Sequence, residues 1–218
     1  MKIIAPKSFQ SHGLLACAGL LLAAAVSQAA VYHISIDTTA FTLPANLGSA
    51  PYSLDLQLNA GDTLNNNTAV VSNFTFGGGS GAIGVANGFG GVSGDLASAV
   101  TLSDSSQFNE FYQAFGAGTS LSFDLSLTQV VGAGLTPEGF SIGILDGTLA
   151  NIPTNGLGNT LLMANIDTTN PLSIGQLNLA SGTGDFAAVS ITAVPEPTTT
   201  LCTLLAGGAA VIRRRRLA

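Results

Sequence analysis

Between Lys7 and Arg213 the chain contains no lysine and no arginine. All six basic residues, Lys2, Lys7 and Arg213 to Arg216, lie in its first seven or last six of 218 positions. All twelve acidic residues fall between them, so the formal net charge of −6 joins a wholly anionic interior to two basic ends. Nothing in that interior neutralises phosphates, which excludes a nucleic-acid-binding body. A Walker P-loop is excluded as well, because it needs its lysine. Both cysteines, Cys17 and Cys202, sit in the apolar ends, and the histidines are His12 and His33. Without the ends, the body has no cysteine and one histidine. A cysteine nucleophile, a disulfide scaffold and a structural zinc site are then excluded. No G-x-S-x-G elbow occurs, and His33 alternates with Tyr32 and Ile34 as a strand residue does, so it reads as structural or surface. Tryptophan is absent and tyrosine is limited to Tyr32, Tyr52 and Tyr112. Sugar platforms favour those two residue types, whose flat faces carry a polar tip, so their scarcity counts against hydrolase and lectin alike.

The two ends read as addresses. Lys2 and Lys7 precede an apolar run of 14 residues, Gly13 to Val26, and then Ser27-Gln28-Ala29. A charged start, an apolar middle and a small-x-small site form a secretory signal peptide over residues 1–29, with cleavage between Ala29 and Ala30. Without a twin arginine, the expected partners are the Sec translocon and signal peptidase. At the other end, Val194-Pro195-Glu196-Pro197 is rigid and extended, since proline fixes φ and pushes its predecessor out of the α region. Thr198 to Ile212 is an uncharged stretch of 15 residues, followed at once by Arg213, Arg214, Arg215 and Arg216. A helix of that length reaches only about 22 Å. Flanking threonines and snorkelling arginines extend the span, and the arginines stay cytoplasmic.

The order of these parts over residues 194–218 resembles the PEP-CTERM sorting signal of Gram-negative bacteria: motif 194–197, membrane span 198–212 and basic stop 213–216. The resemblance implies recognition near the Pro-Glu-Pro by exosortase, a membrane-embedded cysteine peptidase. It also implies transient anchoring in the inner membrane, followed by release to the cell surface or the exopolysaccharide matrix. Within the body, "YHISIDT", "VSNF" and "FNEF…SLSFDLSL" resemble a recurring group of small PEP-CTERM proteins with no assigned activity. No catalytic residue is carried over from that group.

Residues 30–193 form one domain by size, and about 160 residues bury roughly 68–70% of their unfolded surface. In "TSLSFDLSLT", Leu121, Phe123, Leu125 and Leu127 face one way while Ser122, Asp124 and Ser126 face the other. "YSLDLQL" repeats the form with Tyr52, Leu54, Leu56 and Leu58 against Ser53, Asp55 and Gln57. Further strands are expected at 31–37, 69–76, 98–102, 140–145, 160–167, 174–179 and 186–192, about nine in all. The expected fold is all-β, a two-sheet antiparallel β-sandwich with a jelly-roll-like path, plus the signal helix and the C-terminal sorting helix. One short helix is predicted: Asp104 as cap, Gln107 three residues on, Phe108, Phe111, Tyr112 and Phe115 at helical spacing, and Gly116 as stop.

Gly79-Ser80-Gly81-Ala82-Ile83-Gly84 fits G-x-G-x-x-G in letters, but nine of the eighteen residues 77–94 are glycine. No stable helix follows to hold a pyrophosphate, so the segment reads as a flexible surface loop. An anionic body without counter-charges is suited to divalent cations, and "NAGDTLNNNT" offers oxygen ligands for calcium, chiefly Asp62, Asn65 and Asn67, with Asn59 and Asn66 beside them. Its spacing is not that of an EF-hand. The resulting expectation is an exported, non-enzymatic surface or matrix protein with no cofactor. The alternatives are a carbohydrate- or calcium-binding module and, behind them, a carboxylate glycosidase. Two acids in one cleft favour the enzyme, and an exposed aromatic strip on one sheet favours sugar binding, with extracellular polysaccharide as partner.

Overall fold

Residues that alternate apolar and polar cannot bury one face alone, so two such sheets close on each other. The structure, a computed structural model, describes residues 29–42, 48–61, 63–128, 130, 138–154, 160–166, 172–174, 177–178, 186–187 and 189–194. The strands are β1 (Ala30–Asp37), β2 (Tyr52–Asn59), β3 (Thr68–Thr75), β4 (Gly81–Phe89), β5 (Gly91–Gly94), β6 (Ala99–Ser103) and β7 (Phe108–Gly116). They continue with β8 (Ser120–Leu127), β9 (Gly139–Leu145), β10 (Leu162–Asn165), β11 (Leu172–Ile174), β12 (Leu177–Asn178), β13 (Phe186–Ala187) and β14 (Val189–Val194). A single turn of 3-10 helix, Thr39–Thr42, is the helical element among the described residues.

The first sheet has the order β14-β1-β8-β3-β6-β5 and the second β11-β10-β9-β2-β7-β4, while β12 and β13 form a separate pair. Among the described residues, every pairing is antiparallel. Through the first five strands, each next strand lies in the other sheet. The expected all-β, two-sheet architecture is therefore present. Its interior is one cluster: Ile34, Ile36, Val71, Leu102, Leu121, Phe123 and Leu125 from one sheet meet Leu54, Leu56, Leu58, Phe111, Phe115 and Ile142 from the other. Each such side chain contributes about 1.5–3 kcal/mol by leaving water.

Several expectations are corrected. Residues 108–116 form strand β7 and not a helix. Asn109, Phe111, Gln113 and Phe115 point inward, and Phe108, Glu110, Tyr112 and Ala114 outward. The two inward amides break the period-2 hydrophobic pattern and leave aromatics at helix-like spacing. Both amides are bonded. Asn109 donates to Leu58 O and Ser106 O and accepts from Gly91 N, while Gln113 accepts from Leu96 N and donates to Gly84 O. Asp104 caps no helix. Its Oδ2 accepts the backbone N–H of Asn66 and of Asn67.

The glycine-rich segment likewise forms strands, β4 and β5. Strand pairing needs only backbone groups, and β7 and β6 supply them. Between these two strands stands Gly90, with φ of +76°, where the chain steps from the edge of one sheet to the edge of the other. A Cβ there would lie 2.5 Å from Asn109 Oδ1 and 2.7 Å from Phe108 O. The stretch expected as one strand at 174–179 is divided between β11 and β12, and that at 186–192 between β13 and β14.

Candidate functional site

The outer face of the second sheet carries the most chemistry among the described residues. Register places Gln57 beside Glu110 and Glu110 beside Phe89 across β2, β7 and β4. One step along, Asp55 lies beside Tyr112 and Tyr112 beside Asn87. Gln57 Nε2 donates to both Asp55 Oδ2, at 2.9 Å, and Glu110 Oε1, at 3.2 Å. One amide thus ties two carboxylates on neighbouring strands. Asp55 is 5% exposed and its Oδ1 has no hydrogen-bond partner. Burial pushes its carboxyl up to about 7; the nearby Glu110 charge adds to the rise, and the Gln57 hydrogen bond opposes it.

Above this pair lies an open groove of about 460 Å³ lined by Asn87, Gly88, Phe89, Phe108, Glu110 and Tyr112. Phe89 and Phe108 meet with ring centroids 6.2 Å apart and tilted by 41°. A second groove of about 480 Å³ shares Asn87 and Tyr112 and runs on past Ile83, Val85, Asp146 and Leu149. Asp146 closes a tight turn at its lip: Oδ1 accepts from Thr148 N, Thr148 Oγ1 and Ala150 N. Those bonds, the Thr148 hydroxyl first, hold its carboxyl below the usual carboxylate range. An exposed strip with aromatic rings is therefore present despite the absence of tryptophan. The acid pair is also present, but Asp55 is buried and lines neither groove.

His33 lies on β1, in the other sheet. Its Nδ1 is 2.7 Å from Asp124 Oδ1, an exposed cross-strand pair. The Asn73 amide, and then His33, hold the Asp124 carboxyl below the usual range.

Of the chief candidate calcium ligands, two lie among the described residues, and they differ in exposure. Asn65 is exposed, Asn67 is buried, and Asp62 lies outside the described residues. Asn67 Oδ1 accepts from Val130 N and Thr128 Oγ1, and Nδ2 donates to Asn66 Oδ1, Val130 O and Glu138 Oε2. The lone pairs of its carbonyl oxygen are occupied, so a cation there would have to displace two donors. Among the described residues, no three or more His, Cys, Asp or Glu are grouped to hold a metal ion.

Ala29 directly precedes β1, Ala30 opens that strand opposite Leu127, and Val194 closes β14 opposite Val31. Val194 is therefore part of the sheet as well as the first residue of the proposed motif. Pro195, Glu196 and Pro197 lie outside the described residues, as do Arg213 to Arg216, the expected signal segment before Ala29 and the expected span 198–212. Among the described residues, no helix is long and apolar enough to cross a membrane.

The fold and site together define an all-β, two-sheet protein with an open, acidic, aromatic-edged groove on one sheet. No family model, no curated protein and no solved structure matches the chain.

Proposed function

We propose that this chain is an exported, non-enzymatic protein of the cell surface or exopolysaccharide matrix. A Sec signal delivers it and exosortase processes its C-terminal tail, as the resemblance to PEP-CTERM sorting signals implies. One observation carries the reading: a charged start, an apolar run and a small-x-small site in residues 1–29 stand opposite the Pro-Glu-Pro motif, the uncharged stretch and the four arginines of residues 194–218. Cleavage between Ala29 and Ala30 and a second cut near Pro195-Glu196-Pro197 would leave strands β1 to β14 whole. The paired ends Val31 and Val194 leave from one place on one sheet, so a single body can be held at a membrane from either end and then released. In detail, the path reads as jelly-roll-like: the order β1-β8-β3-β6 in one sheet opposite β2-β7-β4 in the other supports it.

The non-enzymatic reading rests on Asp55. A carboxylate glycosidase needs two acids that touch one substrate, and Asp55 is buried and lines neither groove. An interaction role on the groove face is favoured over catalysis. Intact mass and fractionation of the exported protein test the whole. The expected species starts at Ala30 and lacks Arg213 to Arg216. A mature surface species that still carries those four arginines would overturn the sorting reading.

A further inference from the structure

We propose that the groove along β4 and β7 binds a glycan chain bearing free amino groups. Seven large hydrophobic side chains are exposed among the described residues, and five of them, Ile83, Val85, Phe89, Phe108 and Leu149, line the two adjoining grooves. Val85 is 84% exposed and Phe89 63%. Such clustering marks a binding surface, whereas scattered apolar residues do not. From Ile83 to Phe89 the strip is up to about 20 Å long at strand spacing, which suits an oligomer better than a single sugar.

The mixture of groups fixes the chemistry. Phe89 and Phe108 offer faces for the C–H side of a sugar ring. Asn87, Tyr112 and Glu110 supply donors and acceptors for its hydroxyl and amino groups. The charged residues lining the grooves are carboxylates, Glu110 and Asp146, and no lysine or arginine stands anywhere between Lys7 and Arg213. The field over this face repels an acidic polymer and attracts a cationic one. An ammonium group over the aromatic pair and beside Glu110 gains from both. A docking peptide strand fits less well. β4 is an edge strand, but its pairing with β7 shifts register between Ile83 and Asn87, and Gly84 has φ of +68°. Such a bulge breaks the straight ladder that an added strand needs.

This inference sharpens the interaction role proposed above, but it is tested on purified protein and so fails or stands separately from the sorting reading. The full chain, held in a non-glycosidic detergent, is titrated at pH 6 and low salt with β-linked glucosamine oligomers, their N-acetylated counterparts and an oligouronate. Calorimetry is the readout. Saturable binding is expected for the glucosamine oligomer alone, weakening as salt rises. E110Q is expected to weaken it about tenfold. F89A, at a side chain that is mostly exposed, is expected to weaken it about three- to tenfold. Three results overturn the proposal: no saturable binding, equal binding of the N-acetylated oligomer, or binding indifferent to both variants. A concentration-dependent dimer that F89A abolishes would assign the strip to a second copy of the chain and overturn it too.

Discussion

Replacing Asp55 by asparagine should stabilise the protein at pH 8 and leave it nearly unchanged at pH 4. The carboxyl of Asp55 is raised from 3.8 to about 7, first by burial and then by Glu110. The folded state therefore binds a proton more tightly than the unfolded chain does. With a raised pKa, the favourable contribution is complete below the unfolded value and is lost as pH climbs through the folded one. Wild-type stability should thus decline between about pH 4 and pH 7 and level off above. At 1.36 kcal/mol per pKa unit, the full effect is about 4 kcal/mol. Asparagine keeps the oxygen that accepts from Gln57 and removes the charge that burial penalises. Urea denaturation followed by far-ultraviolet circular dichroism suits a chain without tryptophan. The difference between D55N and wild type should grow from near zero at pH 4 to a few kcal/mol at pH 8. Taking the difference cancels other titrating groups, including Asp37 and Asp124, whose lowered pKa values remove stability only as pH falls below the ordinary aspartate range. Parallel pH profiles for the two proteins would refute the reasoning.

Two further substitutions test the fold's less visible supports. D104A removes the oxygen that accepts from Asn66 N and Asn67 N, and should cost about 2 kcal/mol in the urea midpoint; D104N, which keeps an acceptor, should cost less. Equal losses for the two would show that Asp104 acts by charge and not by holding that turn. G90A puts a Cβ against Asn109 and Phe108 at a positive φ, and should cost roughly 2 kcal/mol and lower the melting temperature accordingly. An unchanged melt would mean that the step between the sheets relaxes freely.

The strands with clean alternation were legible in advance. β2 carries Tyr52 and then leucine, and β8 leucine or phenylalanine, at every second residue, and their inward sides form the core as the pattern requires. β7 was not legible, because Asn109 and Gln113 occupy inward positions that the pattern reserves for apolar residues. Their burial is tolerable only because backbone groups from β2, the loop before β6 and the β4–β5 run arrive to bond them. β4 and β5 were hidden for a related reason: glycine-rich sequence has little strand propensity, and a neighbour's free edge supplies what it lacks. Beside the groove, the outward direction of Asp55 and Gln57 followed from "YSLDLQL". Their meeting with Glu110 did not, since cross-strand neighbours depend on register.

The amino-acid order alone determined the charge map, the confinement of both cysteines to the two ends and the two-sheet class, because each depends on residue type or local period. Tertiary structure alone decided which carboxylates are buried, which aromatic rings reach solvent and which asparagines are spent inside. Those outcomes arise from contacts between strands far apart in the chain, and no local pattern encodes them.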